Sequence, residues 1–327
     1  MSEHDEPNSI RWAVSGASGM LGSALRERIA AEGQQCIQLV RPGSPSGGSD
    51  ETVMWDPSRG ELDPAALDGI DVVVHLAGEN IAARRWSNEQ KRRIRDSRVS
   101  GTHLIAEALA RMQQPPKVFL CASGVHYYGD RGDAMIDESA GPGTGFLSEV
   151  VQAWEAACEP ARQAGIRTVN LRFGMIVSSR GGALAKMVRP FKMGAGGRVG
   201  TGRQYWSWVH LDDAVGAMFH AVATEDLAGP VNVVVPESLT SETFTTILGR
   251  VLHRPTIAPL PAFAARLMLG EMADEMLLSS MNVVPKRLQQ SGFQWRFPNL
   301  EGALRHELTP EPEAVAGGPA SGVIRRP

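Results

Sequence analysis

Residues 13–23 read AVSGASGMLGS, three glycines in the spacing Gly16, Gly19, Gly22. An apolar run, IRWAVS, ends just before them, and a helical stripe of Met20, Ala24, Leu25 and Ile29 follows. A strand turning this tightly into a helix brings bare backbone amides to one point. Such a point attracts an anion, because the first amides of a helix lack intrahelical acceptors and the peptide dipoles add. Gly16 serves the tight turn, Gly19 admits a diphosphate to the backbone, and Gly22 lets the helix lie against the sheet. The amides of Ser18, Met20 and Leu21 fall in the same turn.

Strand and helix patterns then alternate to about residue 175. Strands are expected at 36–41, 53–56, 71–77, 117–123 and 167–173, with helices near 87–112 and 145–164. That alternation predicts a doubly wound parallel sheet with helices on both faces. A later strand, VNVVV at 231–235, is expected to return to the sheet, and helices dominate beyond 240. The expected organisation is a disordered start at 1–9, a dinucleotide-binding domain at 10–238, a helical domain at 239–308 and a disordered tail at 309–327. Residues 180–208 are expected to add to the substrate cleft.

The second strand ends in Arg41, followed by a loop containing Ser44. An acidic residue there would bond a ribose hydroxyl, whereas arginine matches a 2′-phosphate. NADP is therefore expected ahead of NAD. A solvated arginine at a strand end is the plainer alternative.

The motifs GxxGxxG, HLAG (75–78), SG..YYG (123–129) and LRFG (171–174) resemble the extended short-chain dehydrogenase/reductases. Further stretches narrow the match: WDP (55–57), HLAGENI (75–81), SRVSGT (97–102), WE (154–155), QYWSWVHLDD (204–213) and PKRL..SGF (285–293). Together they are similar to the epimerase family subgroup that carries its own C-terminal domain of unknown function. The resemblance implies a Rossmann-type fold. It implies cofactor contacts at Leu76, Ala77 and Gly78, at Asp56 near the adenine, at Ala122, and at Arg172, Phe173, Gly174 and Met175 near the nicotinamide. These contacts are mainly through backbone. His75 reads as a strand-end histidine satisfied by its loop.

An ordinary member of that superfamily carries Tyr-x-x-x-Lys on the helix after the YG loop. The lysine holds the ribose, and the tyrosine exchanges a proton with the substrate. Here Phe146 and Val150 stand at those positions. The three tyrosines of the chain are Tyr127, Tyr128 and Tyr205, and no lysine falls between Lys117 and Lys186. The dyad is absent in any register. Ser123, His126, Tyr127 and Tyr128 follow a strand end and are the substitutes to consider, or they simply line the pocket. Glu79, Arg85, Trp86, Arg203 and Gln204 are candidates for substrate contact.

Residues 84–98 carry seven basic residues, read first as a solvated helix face and second as an anion site. The glycine-rich stretch 194–203 permits a mobile lid, and Asp212 is expected to cap the helix after it. A net charge of −3 argues against nucleic acid, and no apolar run is long enough for a membrane. Three scattered cysteines fit a reducing compartment, so a cytoplasmic protein is expected, with no metal site. A small-molecule substrate is the expected partner, and a homodimer is compatible with this organisation. Two functions stay open: an NADP(H)-dependent epimerase- or dehydratase-like oxidoreductase, or an NADP(H)-binding regulator without turnover.

Overall fold

The computed structural model describes residues 9–43 and 51–309. Ser44 and the two terminal stretches, apart from residues 9 and 309, lie outside the described residues. The first half runs β1 (Arg11–Ser15), α1 (Met20–Ala31), β2 (Gln35–Val40), β3 (Glu51–Met54), β4 (Val72–His75), α2 (Asn88–Ala110) and β5 (Val118–Gly124). It continues through β6 (Met135–Ile136), α3 (Phe146–Ala156), α4 (Glu159–Gln163), β7 (Arg167–Phe173), β8 (Met175–Val177) and α5 (Gly182–Lys192). Next come β9 (Tyr205–Trp206), β10 (Trp208–His210), α6 (Leu211–Ala223), β11 (Gly229–Val233), β12 (Leu239–Thr240) and α7 (Ser241–Val251). The last elements are α8 (Ala262–Leu269), α9 (Glu271–Ala273), β13 (Asn282–Val283), α10 (Lys286–Gln290) and α11 (Leu300–Leu308).

Seven parallel strands form one sheet in the order β11-β7-β5-β4-β1-β2-β3. The strands read as continuous apolar runs because helices cover both faces. β4, with Val72, Val73, Val74 and His75 all buried, is the clearest case. The order reverses between β1 and β4, so the loops leaving those strands diverge and open a crevice at their carboxyl ends. Gly16 leaves one strand and the HLAG turn leaves the other.

A second core is shared between segments on either side of residue 239. Val177, Leu184, Phe191, Trp206 and Trp208 pack with Phe244, Leu248, Leu300 and Leu304. Trp206 ends β9 and Trp208 begins β10, and both are buried, as is Ser207 between them. The glycine-rich stretch before them is tied down: Gly197 bridges Ile257, and the Gly200 amide donates to the Leu260 carbonyl at 2.8 Å. The cap of α6 differs from expectation. The His210 ring accepts from the Asp212 amide at 3.1 Å, while the Asp212 carboxylate reaches Arg296 at 2.8 Å. His210 immediately precedes the helix and already fills the capping position, which frees Asp212 for a longer-range partner.

Candidate functional site

The turn after β1 is built around two close approaches. Gly16 has φ +70°, and a Cβ there would lie 2.7 Å from the Ala77 amide nitrogen. A Cβ on Gly22 would lie 2.2 Å from the Gly16 carbonyl oxygen. Gly19 is different, since a Cβ there meets only that same oxygen, at 3.3 Å. It begins α1 in extended backbone with no side-chain cap and no acidic residue in the first turn. The helix start therefore offers uncapped amides and a positive dipole end to whatever sits above Gly19. This is a cradle for a diphosphate, and the residues present fit a dinucleotide.

Beside the cradle, Arg41, Pro42, Gly43, Asp56, Pro57 and Ser58 line an open cleft of about 340 Å³. The Asp56 carboxylate accepts from the Ser58 hydroxyl at 2.6 Å and its amide at 2.9 Å. Those bonds hold its pKa below the ordinary carboxylate range. Arg41 is exposed and stands across from this fixed loop.

The opposite end of the crevice is buried. β5, β7 and β11 bring Ser123, Arg172 and Asn232 into register on neighbouring strands. Glu155 reaches down from α3. Arg172 pairs with it through two hydrogen bonds of 2.7 Å, and Ser123 donates to the same carboxylate at 2.6 Å. Arg172 also donates to the Tyr128 hydroxyl at 2.9 Å, and that hydroxyl donates to Asn232 at 2.8 Å. Tyr128 is fully buried, and burial pushes its pKa up to about 12 in spite of the neighbouring cation. Burial alone would lower Arg172, but the Glu155 carboxylate holds it above its ordinary value. The Arg172 guanidinium also stacks 3.5 Å from the centroid of Tyr127. Tyr127, Gln152, Glu155, Asn170 and Arg172 line a cleft of about 410 Å³ against this network.

Both histidines here stay neutral at physiological pH. Burial, helped by the nearby Arg98, lowers His75 to about 3 and His126 to about 4. His75 is held by Ser15 on the adjacent strand, at 2.6 Å, rather than by its own loop. The Ala77 amide donates to that serine at 3.4 Å, so strand and turn are locked together.

Phe146 and Val150 do sit on one helix, α3, but neither offers a polar atom. Phe146 packs edge-on against Trp86, with their centroids 5.1 Å apart. The start of α3 is capped by Glu275, whose carboxylate accepts from the amides of Phe146 at 2.9 Å and Leu147 at 3.3 Å. Half-burial there raises the Glu275 pKa.

The other candidates divide. Arg85 donates to the Leu267 carbonyl at 3.1 Å, and Trp86 donates to Ile81 at 2.8 Å. Both thus brace the loop after HLAG against α8 and α3. Glu79 accepts from Gln90 at 3.3 Å beside the same turn. Gln204 is buried and donates to the carbonyls of Val199 and Leu277, so its amide is already committed. Arg203 is exposed.

Sequence reasoning missed Glu155, Glu275 and Arg98. Arg98 had a signal: it lies four residues after Ile94 and three before Gly101, on the buried stripe of α2. The other bases of 84–98 are exposed, apart from Lys91, which pairs with Glu271.

Residues 12–235 match the NAD dependent epimerase/dehydratase family, and residues 260–307 match a domain of unknown function, DUF1731. The chain belongs to the NAD dependent epimerase/dehydratase family. Within it, the chain is 40% identical over 297 residues to an epimerase family protein of Mycobacterium leprae, covering 91% of this chain and 95% of that one. It is 35% identical over 301 residues to the human epimerase family protein SDR39U1, covering 90% and 99%. The crystal structure of that human protein, isoform 2 with NADPH, superposes with a TM-score of 0.83 at 32% identity, covering 91% and 99%. Among the described residues, no helix is long and apolar enough to cross a membrane, and no cluster of side chains is suited to a metal ion.

Proposed function

We propose that the chain binds NADP(H) along the carboxyl edge of the sheet. There it would serve an epimerase- or dehydratase-type oxidation–reduction of a small molecule without the tyrosine–lysine dyad. One observation carries this: the uncapped start of α1, kept clear by Gly16 and Gly22, opens beside a cleft edged by Arg41. Amides at the first turn suit the diphosphate, and a guanidinium at the end of β2 suits a 2′-phosphate. The human relative solved with NADPH supports the same choice.

When bound, the cofactor supplies or accepts hydride; every other task falls to the chain. The Glu155–Arg172 pair holds Ser123 and Tyr128 rigidly, so the wall facing the reacting carbon is pre-organised. Gly174, whose Cβ would lie 2.6 Å from the Ser207 carbonyl, keeps β7 and the strand pair after it closely packed. Ser123 is the hydroxyl with an adjacent carboxylate, and so it is the group best arranged to exchange a proton with a substrate oxygen.

A second reading, an NADP(H)-binding regulator without turnover, is favoured by three features. Tyr128 is locked by two hydrogen bonds, His126 is neutral, and apolar residues hold the dyad positions. Calorimetry with NADPH and NADH tests the shared part. NADPH is expected to bind tighter by about tenfold or more; no binding of either at millimolar concentration removes both readings. Loss of reduced-nicotinamide absorbance across a panel of carbonyl compounds separates the two, and its complete absence favours the regulator.

A further inference from the structure

The absent lysine leaves the nicotinamide end of the crevice without the cation that ordinarily grips the ribose there. Arg98 stands in that neighbourhood. It comes from the buried stripe of α2, and its guanidinium lies directly against the HLAG turn. A Cβ built on Gly78 would sit 3.2 Å from the guanidinium carbon and 3.4 Å from each of Nη1 and Nη2. The missing side chain at Gly78 is what lets the cation reach the crevice. From the other side the ring of Trp154 on α3 backs it, 5.0 Å away.

Its donors are only half used. Nη1 donates to the Glu79 carbonyl at 3.0 Å and the Ile94 carbonyl at 3.1 Å, which fixes the plane of the group. Nε and Nη2 make no hydrogen bond to the described residues, and no carboxylate there lies within ion-pair distance. Arg98 is half-buried, and Nε and Nη2 stay open to solvent, where the polar groups of a ligand can reach them. Burial brings its pKa down only to about 10, so it stays charged. Its field reaches both His75 and His126 and helps to keep each neutral.

We propose that Arg98 is the fixed cation of the nicotinamide end, donating from Nε and Nη2 to the hydroxyls of the ribose that carries the nicotinamide. In this way an arginine on α2 does the work that a lysine on α3 does where the dyad is present. The inference rests on the cofactor reading above. It makes Gly78 and Arg98 a pair, in which one leaves the space that the other fills.

The test uses the full chain and two probes, NADPH and adenosine 2′,5′-bisphosphate, which lacks the nicotinamide riboside. Calorimetry is run on wild type, Arg98→Met and Arg41→Ala. Arg98→Met is expected to lose about tenfold or more in NADPH affinity while adenosine 2′,5′-bisphosphate binds unchanged. Arg41→Ala is expected to weaken both probes. If Arg98→Met leaves NADPH unchanged, or weakens the two probes equally, Arg98 does not grip that ribose and the proposal fails. If wild type binds neither probe, the cofactor reading itself fails. Should Arg98→Met not fold by circular dichroism, Arg98→Lys is read by the same criterion. Its ammonium keeps the charge but loses the planar fork, so a partial, NADPH-selective loss is expected. A proton NMR titration adds an independent readout, with His126 moving up from about 4 in Arg98→Met. An unmoved His126 would mean that the guanidinium does not face the crevice.

Discussion

The two ends of the crevice are built on opposite plans. At the end beside α1 the polar groups are exposed and uncommitted: bare amides at the start of α1, and Arg41 across from the Asp56–Ser58 turn. At the other end the polar groups are buried and bound mostly to one another, through Glu155, Arg172, Ser123, Tyr128 and Asn232. An open end can select a ligand by charge. A closed network gives up that freedom and holds a surface still. Recognition and rigidity are thus assigned to different strands of one sheet.

The sharpest way to break this contrast is Glu155→Ala. It strands a guanidinium that is 3% exposed, so a loss of about 3–5 kcal/mol in unfolding free energy is expected by urea denaturation. A loss below about 1 kcal/mol, the range of an exposed pair, would mean that the network is no more than a surface ion pair. Replacing both partners, as Glu155→Leu with Arg172→Met, should recover much of the loss. The open end predicts the reverse pattern. Gly19→Val meets only one backbone oxygen at 3.3 Å, so the fold survives, but the side chain covers the amides. Affinity for NADPH should fall by about 100-fold or more with the melting temperature nearly unchanged. Retained affinity would remove the cradle from the account. Arg41→Ala is expected to cost about tenfold for NADPH and little for NADH, measured by calorimetry; equal losses would unseat Arg41 as the selector.

The last effect is in pH. Unfolded histidine takes up a proton near 6.5, whereas His75 does so only near 3 and His126 near 4. Between these values the unfolded chain binds more protons, so stability is full above pH 6.5 and falls as the pH drops. Each histidine should remove about 1.4 kcal/mol per pH unit down to pH 4. His75→Gln should flatten that slope in denaturation curves taken between pH 7 and 5. An unchanged slope would mean that burial does not hold His75 neutral.

Much of this was legible in order along the chain. The Gly16–Gly22 turn, the parallel sheet and Arg41 are local facts, since each depends on residues a few positions apart and on strand and helix periods. The strand at Arg167–Phe173 was expected at those limits. The absence of the dyad was legible as well, being a matter of residue types. Arg98 was harder, because six other bases surround it in sequence and only its phase on α2 sets it apart. Glu155 looked like part of a motif with no stated task, since its partners arrive from β5 and β7.

The sequence by itself therefore determined the architecture and the anion cradle, because backbone geometry and hydrophobic period act over short range. Only the tertiary structure decided which charges are buried and which are free. That depends on segments more than a hundred residues apart coming together, such as the turn after β5 that carries Tyr128 and the strand β11 that carries Asn232. Desolvation is set by what is packed around a group, and no single segment carries that information.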